Sequence, residues 1–92
     1  MLLVVDVGNT NITMGIMEGQ KILTTFRMTT KNTRTSDEYG VLLYEMIRRK
    51  GYDPKAIEHT IIASVVPKIM YSFTNAVYKY FGKNPIIVGP GI

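Results

Sequence analysis

The stretch Asp6-Val7-Gly8-Asn9-Thr10 lies between two segments patterned as strands, and this constrains the fold more than any other feature of the chain. Before it, Leu2-Leu3-Val4-Val5 is an unbroken apolar run, the pattern of a strand buried on both faces. After it, the segment 11–17 places Ile12, Met14 and Ile16 on one face of a second strand. The result is a strand-turn-strand unit with a carboxylate at the end of its first strand. Gly and Asn are ordinary turn residues, so a plain hairpin accounts for the spacing. Burying a carboxylate without partners is costly, so Asp6 is expected to meet a cation or a donor at an open edge. At this point a simple turn and a phosphate cradle both remain open.

Glu18-Gly19-Gln20-Lys21 is a turn signal leading to a third strand, Ile22 to Met28. Strict alternation puts Ile22, Thr24, Phe26 and Met28 on one face and Leu23, Thr25 and Arg27 on the other. Strands one to three therefore read as an antiparallel meander. Thr29 to Arg34 is polar, carries Lys31 and Arg34, and reads as a solvated loop.

Thr35-Ser36-Asp37-Glu38 fits a capping box, in which the Thr35 hydroxyl and the Glu38 carboxylate satisfy orphan amides reciprocally. Tyr39, Leu42, Leu43, Met46 and Ile47 follow at helical spacing as one apolar stripe. Arg48, Arg49 and Lys50 fall in the last turn, where the helix dipole favours positive charge, and Gly51 supplies the stop. Asp37 and Glu38 are consecutive on a helix and point apart, so they do not form an acid–base pair.

Thr60 to Val66 is a second apolar run of strand length, again suited to burial on both faces. Pro67 opens a second helix at its first position. Its stripe is Ile69, Met70, Phe73, Ala76, Val77, Tyr80 and Phe81, and Gly82 ends it. Pro85 to Val88 begins a last strand, and Gly89-Pro90-Gly91-Ile92 follows as a loop. The order β-β-β-α-β-α-β predicts an α/β domain with parallel pairing of the last two strands and right-handed crossovers. With strand one central, the predicted sheet is mixed, five-stranded and ordered 3-2-1-4-5.

Ninety-two residues allow one domain. The chain has no Cys, which excludes disulfides and thiolate metal sites, and a single His59 cannot build a histidine cluster. His59 stands before a strand without visible partners and reads as a surface residue. No apolar run approaches the ~20 residues that span a bilayer. The N-terminus lacks a basic segment followed by a cleavage site, so no signal peptide is expected and a cytoplasmic location is the default. The net charge of +4 is modest. The Arg48–Lys50 run is explained by the helix dipole, and no aromatic-basic interleaving suggests a nucleic-acid partner.

Four blocks together resemble the type III pantothenate kinases: Asp6-Val7-Gly8-Asn9-Thr10-Asn11, Arg34-Thr35-Ser36-Asp37-Glu38-Tyr39, Ala63-Ser64-Val65-Val66-Pro67 and Val88-Gly89-Pro90-Gly91. Their order and spacing match that family's N-terminal portion over the whole chain. The resemblance implies one ribonuclease H-like half of a two-domain fold shared with acetate and sugar kinases, Hsp70 and actin, with ATP between the halves. It implies that Asp6, Val7, Gly8, Asn9, Thr10, Asn11, Ile12 and Thr13 form the first phosphate-binding loop. Gly8 would admit a close backbone approach, the turn amides, Asn9 and Thr10 would donate to phosphate oxygens, and Asp6 would hold Mg²⁺ as a hard oxygen ligand. Phosphoryl transfer needs mainly such positioning and charge neutralisation. Ser64, late in a strand, borders the same cleft, yet a buried Ser satisfied by backbone is the simpler account of it.

The resemblance also implies a family much longer than this chain. Its catalytic base, an Asp in a Gly-x-Asp-Arg motif, lies beyond residue 92, as do its second phosphate motif, its site for a monovalent cation (K⁺ or NH₄⁺) and much of its pantothenate pocket. The chain is therefore expected to be the N-terminal ATP-binding domain, 1–92, of a homodimeric pantothenate kinase of coenzyme A biosynthesis, inactive alone and prone to associate through its exposed last strand. A non-catalytic protein that keeps the nucleotide-cleft scaffold is one alternative. Another kinase of the same superfamily is a second, although Asp-x-Gly-Thr or Asp-x-Gly-Ser is more usual there than Gly-Asn-Thr.

Overall fold

Two parallel crossovers that step in the same direction along a sheet leave both connecting helices on one of its faces, and this arrangement organises the molecule. A computed structural model describes residues 1–31, 33–64 and 66–89. Asn32, Val65, Pro90, Gly91 and Ile92 lie outside the described residues, and with them most of the terminal Gly89–Ile92 loop and one residue of the Ala63–Pro67 block.

The strands are β1 (Leu2–Val7), β2 (Asn11–Glu18), β3 (Lys21–Thr29), β4 (His59–Ser64) and β5 (Ile86–Val88), and the helices are α1 (Ser36–Arg49) and α2 (Pro67–Phe81), with one 3₁₀ turn at Pro54–Ala56. They form a single mixed sheet in the order β3-β2-β1-β4-β5. The pairs β1/β2 and β2/β3 are antiparallel, and β1/β4 and β4/β5 are parallel. This is the ribonuclease H-like α/β order predicted from the sequence.

Local chemistry fixes the helix ends. Glu38 N–H donates to the Thr35 hydroxyl at 3.2 Å while Thr35 N–H donates to the Glu38 carboxylate at 2.8 Å, completing the capping box. The backbone hydrogen bond from Thr35 is the main reason the Glu38 carboxyl is held below the usual carboxylate range. Gly51 (φ 91°) and Gly82 (φ 80°) take the left-handed conformation that ends each helix. Pro67 occupies the first turn of α2.

The core lies between the helices and one face of the sheet. Leu3, Val5 and Val7 of β1 and Ile12, Met14 and Ile16 of β2 meet Tyr39, Leu43 and Ile47 of α1 and Ile69, Phe73 and Val77 of α2. Each fully buried Val, Leu, Ile or Phe contributes about 1.5–3 kcal/mol. The Tyr39 and Phe73 rings meet edge to face with centroids 5.3 Å apart, joining the two helices.

Burial on both faces, expected for β1 and β4, is not observed. β1 alternates, with Leu3, Val5 and Val7 inside, Leu2 and Val4 half-buried and Asp6 exposed. β4 buries Thr60 and Ile62 but not Ile61. The reason is topological: both helices cover the same face, and nothing among the described residues covers the other. The face assigned to Ile22 is also corrected. Register shifts between Ile16, which opposes Thr24, and Met17, which opposes Ile22. Leu23 is the extra residue of a bulge, and the bulge reverses the alternation before it. Ile22 therefore stands 61% exposed on the open face, while Phe26 and Met28 keep their expected places in the core.

Candidate functional site

The turn after β1 is shaped by one close approach. Val7 and Ile12 are the last residues paired across β1 and β2. Between them Gly8 N–H donates to the Asn11 carbonyl at 3.0 Å. A Cβ on Gly8 would stand 3.0 Å from that same oxygen, so a side chain would press on the turn. Among the described residues, positive φ occurs at Gly19, Gly51 and Gly82 and not at Gly8. Space, not backbone conformation, is what Gly8 provides.

The end of β3 holds this turn from the side. Thr30 N–H donates to the Thr10 carbonyl at 2.9 Å, and the Thr30 hydroxyl donates to the Gly8 carbonyl at 2.8 Å. The next residue is held in turn, because the Tyr39 hydroxyl donates to the Lys31 carbonyl at 2.7 Å. The Arg34 guanidinium donates to the Thr29 carbonyl at 2.6 Å and lies 5.8 Å from the Tyr39 ring centroid. A chain of contacts thus runs from the buried α1 residue Tyr39 to the turn at Gly8–Thr10. Burial, the largest influence on the Tyr39 phenol, pushes its pKa up. Sequence reasoning read 29–34 as solvated loop and missed Thr30; two adjacent threonines ending a strand were the available signal.

The residues expected around the turn divide into two groups. Asp6, Asn9, Thr10, Asn11 and Thr13 are exposed, and Gly8 is half-buried. Val7 and Ile12 are 0% exposed, so only their backbone groups face the turn. Among the described residues, no hydrogen bond engages the Asn9 amide, the Thr10 hydroxyl or the Asp6 carboxylate. Donors whose partners are not already committed suit an oxyanion. For a hard cation, Asp6 offers one exposed carboxylate. No cluster of three or more His, Cys, Asp or Glu occurs among the described residues. Mg²⁺ held by Asp6 would therefore take its other ligands from water and phosphate oxygens, its usual manner of binding.

Two cavities border this end of the sheet. One, of about 410 Å³, is lined by Asn9, Thr30, Lys31, Val66, Lys68 and their neighbours. Two ammonium side chains at its wall give it positive charge beside the turn. The other, of about 540 Å³, is largely apolar and lies between the C-terminal ends of β4 and β5 and helix α2, lined by Ser64, Met70, Tyr71, Ile87 and their neighbours. Ser64 stands beside Val7 in register, and its hydroxyl accepts the Val66 N–H at 3.0 Å, a local backbone satisfaction.

The remaining candidates lie elsewhere. His59 pairs in register with Leu2, at the opposite end of the sheet from Val7. Glu38 is spent on the cap, and Asp37 accepts from the Tyr80 hydroxyl at 3.3 Å, so the two carboxylates do not converge.

The family model for type III pantothenate kinase matches residues 2–92. A type III pantothenate kinase of Bifidobacterium longum (strain DJO10A) is 49% identical over 92 residues, which is all of this chain and 36% of that protein. One from Bifidobacterium adolescentis is 45% identical over the same share. The chain thus spans about a third of the length of the curated relatives it matches. Among solved structures, a ROK hexokinase of Thermus thermophilus aligns with a TM-score of 0.70 at 14% identity, over 96% of this chain and 34% of that one. Thermus thermophilus RuvC aligns with a TM-score of 0.58 at 16% identity, over 97% and 61%. These structural likenesses concern the fold. The family match, continuous from residue 2 to 92, and identity near one half to curated members establish that the chain belongs to the type III pantothenate kinase family.

Proposed function

We propose that residues 1–92 are the first ATP-binding domain of an enzyme that transfers the γ-phosphoryl group of ATP to pantothenate, the step that opens coenzyme A biosynthesis. The observation that carries this reading is the Gly8–Thr10 turn. It is held by Thr30, flanked by the exposed Asp6 carboxylate and furnished with the uncommitted donors of Asn9 and Thr10. In this reading the turn amides, Asn9, Thr10, Asn11 and Thr13 bind the phosphate tail, Val7 and Ile12 contribute backbone only, and Asp6 holds Mg²⁺. Preorganised donors of this kind act without reorganising during the reaction.

The general base, the pantothenate contacts and the K⁺ or NH₄⁺ site belong to polypeptide outside these residues. Residues 1–92 alone do not phosphorylate pantothenate. The enzyme is a cytoplasmic homodimer. No helix among the described residues is long and apolar enough to cross a membrane.

Asp6→Asn in the family-length enzyme tests the reading. Turnover with MgATP and pantothenate should fall by about two orders of magnitude or more, while the melting temperature stays within about 3 °C, as for an exposed residue. Unchanged turnover would remove Asp6 from the site.

A further inference from the structure

The block Arg34–Tyr39 opens helix α1, and its cap uses only Thr35 and Glu38. The residues on either side of that cap, Arg34 and Tyr39, reach back to the end of β3 instead. The Arg34 guanidinium donates to the Thr29 carbonyl at 2.6 Å, and its amide donates to the Lys31 carbonyl at 3.3 Å. The Tyr39 hydroxyl donates to that same Lys31 carbonyl at 2.7 Å. Thr30 lies between the two anchored carbonyls, and Thr30 is the residue that holds the Gly8 and Thr10 carbonyls of the turn.

Packing does not explain the Tyr39 hydroxyl. The side chain is 0% exposed and its ring meets Phe73 edge to face, a place that Phe would fill as well. A hydroxyl carried into a core costs stability unless it is hydrogen-bonded. This one is committed to a main-chain carbonyl eight residues earlier, outside its own helix. An acceptor at the end of β3 is thereby tied to a ring that the core holds still. The Arg34 guanidinium lies 5.8 Å from the centroid of the same ring, so the two donors act as one unit.

We propose that Tyr39 is a positioning residue for phosphoryl transfer, with Arg34 as its partner: by fixing the Thr29 and Lys31 carbonyls they set Thr30, and through Thr30 the donors of the phosphate turn. The inference rests on the phosphate-loop reading given above. Neither side chain needs to touch the nucleotide. Their effect is on where the turn amides, Asn9 and Thr10 stand when the phosphate tail arrives.

Tyr39→Phe in the family-length enzyme tests this, because it keeps the ring and removes the donor. A purely structural hydroxyl would lower the melting temperature and leave both KM values of the folded enzyme unchanged. A positioning hydroxyl raises the KM for ATP about fivefold, the worth of one hydrogen bond, and leaves the KM for pantothenate alone. Added to Thr30→Val, it should raise the KM for ATP little further, since the first residue acts through the second. Arg34→Met, which keeps the stem and removes the guanidinium, should reproduce the effect without entering the core. Hydrogen exchange gives a readout without activity. In both variants the Gly8 and Thr30 amides should exchange several-fold faster, and the Gly82 amide at the end of α2 at its wild-type rate. An unchanged KM for ATP, full additivity with Thr30→Val, or unchanged exchange at Gly8 and Thr30 would overturn the inference. Faster exchange with an unchanged KM, in an enzyme that Asp6→Asn inactivates, overturns the positioning role and leaves the kinase reading standing.

Discussion

The Thr30 hydroxyl donates to the Gly8 carbonyl at 2.8 Å, across 22 positions of sequence. Because the Thr30 amide also donates to the Thr10 carbonyl, one residue fixes both sides of the turn that follows β1. Thr30→Val keeps the shape and removes the hydroxyl. It should cost about 1 kcal/mol of stability and raise the KM for ATP of the family-length enzyme several-fold, whereas Thr30→Ser should retain both. Thermal melts and steady-state kinetics on the two variants distinguish a positioning role from simple packing.

Gly40 and Tyr80 set the approach of the two helices. A Cβ on Gly40 would stand 2.1 Å from Tyr80 Cε1 and 2.7 Å from its Cγ, so rotating the ring about its bond to Cβ does not relieve the clash. In an exposed helix, Gly→Ala gains about 1 kcal/mol. Here Gly40→Ala should instead destabilise by about 1–3 kcal/mol, read from the denaturation midpoint. Combining it with Tyr80→Ala should recover part of that loss, giving a measurable coupling energy.

Tyr39 predicts the alkaline limb of stability. Its phenol pKa is raised above 10.0, chiefly by burial, so the unfolded chain loses this proton first. The Tyr39 contribution to stability is level below about pH 10 and declines as pH rises above it. Tyr39→Phe should flatten that decline, at a cost of about 1 kcal/mol at neutral pH because the Lys31 carbonyl loses its donor. Glu38 acts at the other end. Its pKa is lowered from 4.5, so the stabilisation it provides is present above that value and is lost as pH falls through its folded pKa. Denaturation midpoints measured against pH for wild type, Tyr39→Phe and Glu38→Ala check both limbs.

Lys31 and Lys68 line the cavity beside Asn9. If the cavity receives part of a polyphosphate, Lys31→Gln and Lys68→Gln should each weaken nucleotide binding a few-fold. The difference from wild type should shrink at high salt, because these ammonium groups are exposed and screened. Calorimetric titration at two ionic strengths reads both effects.

What the sequence revealed about this fold was the chemistry that acts locally. The Thr35–Glu38 box, Pro67 and the glycines Gly51 and Gly82 mark helix ends through contacts a few residues apart. The sheet order followed from crossover rules, which need only the order of elements. Long-range relationships were not legible. The Leu23 bulge depends on how β3 registers against β2, and it turned Ile22 to the opposite face. The Thr30 clamp joins segments that approach only after the meander forms. The apolar runs of β1 and β4 suggested two buried faces, whereas these residues supply helices for one. At the candidate site, Asp6 and the Gly8–Thr10 turn were legible as a motif. Which of its residues present side chains to solvent and which are buried, as Val7 and Ile12 are, emerged from the register.

The most direct test of the account is an amide-resolved titration of the family-length protein with MgATP, followed by nuclear magnetic resonance. The account predicts that the amides of Gly8, Asn9 and Thr10 shift in proportion to saturation, while those of Gly51 and Gly82 at the helix ends do not move. Saturable binding that leaves Gly8, Asn9 and Thr10 unperturbed would contradict it.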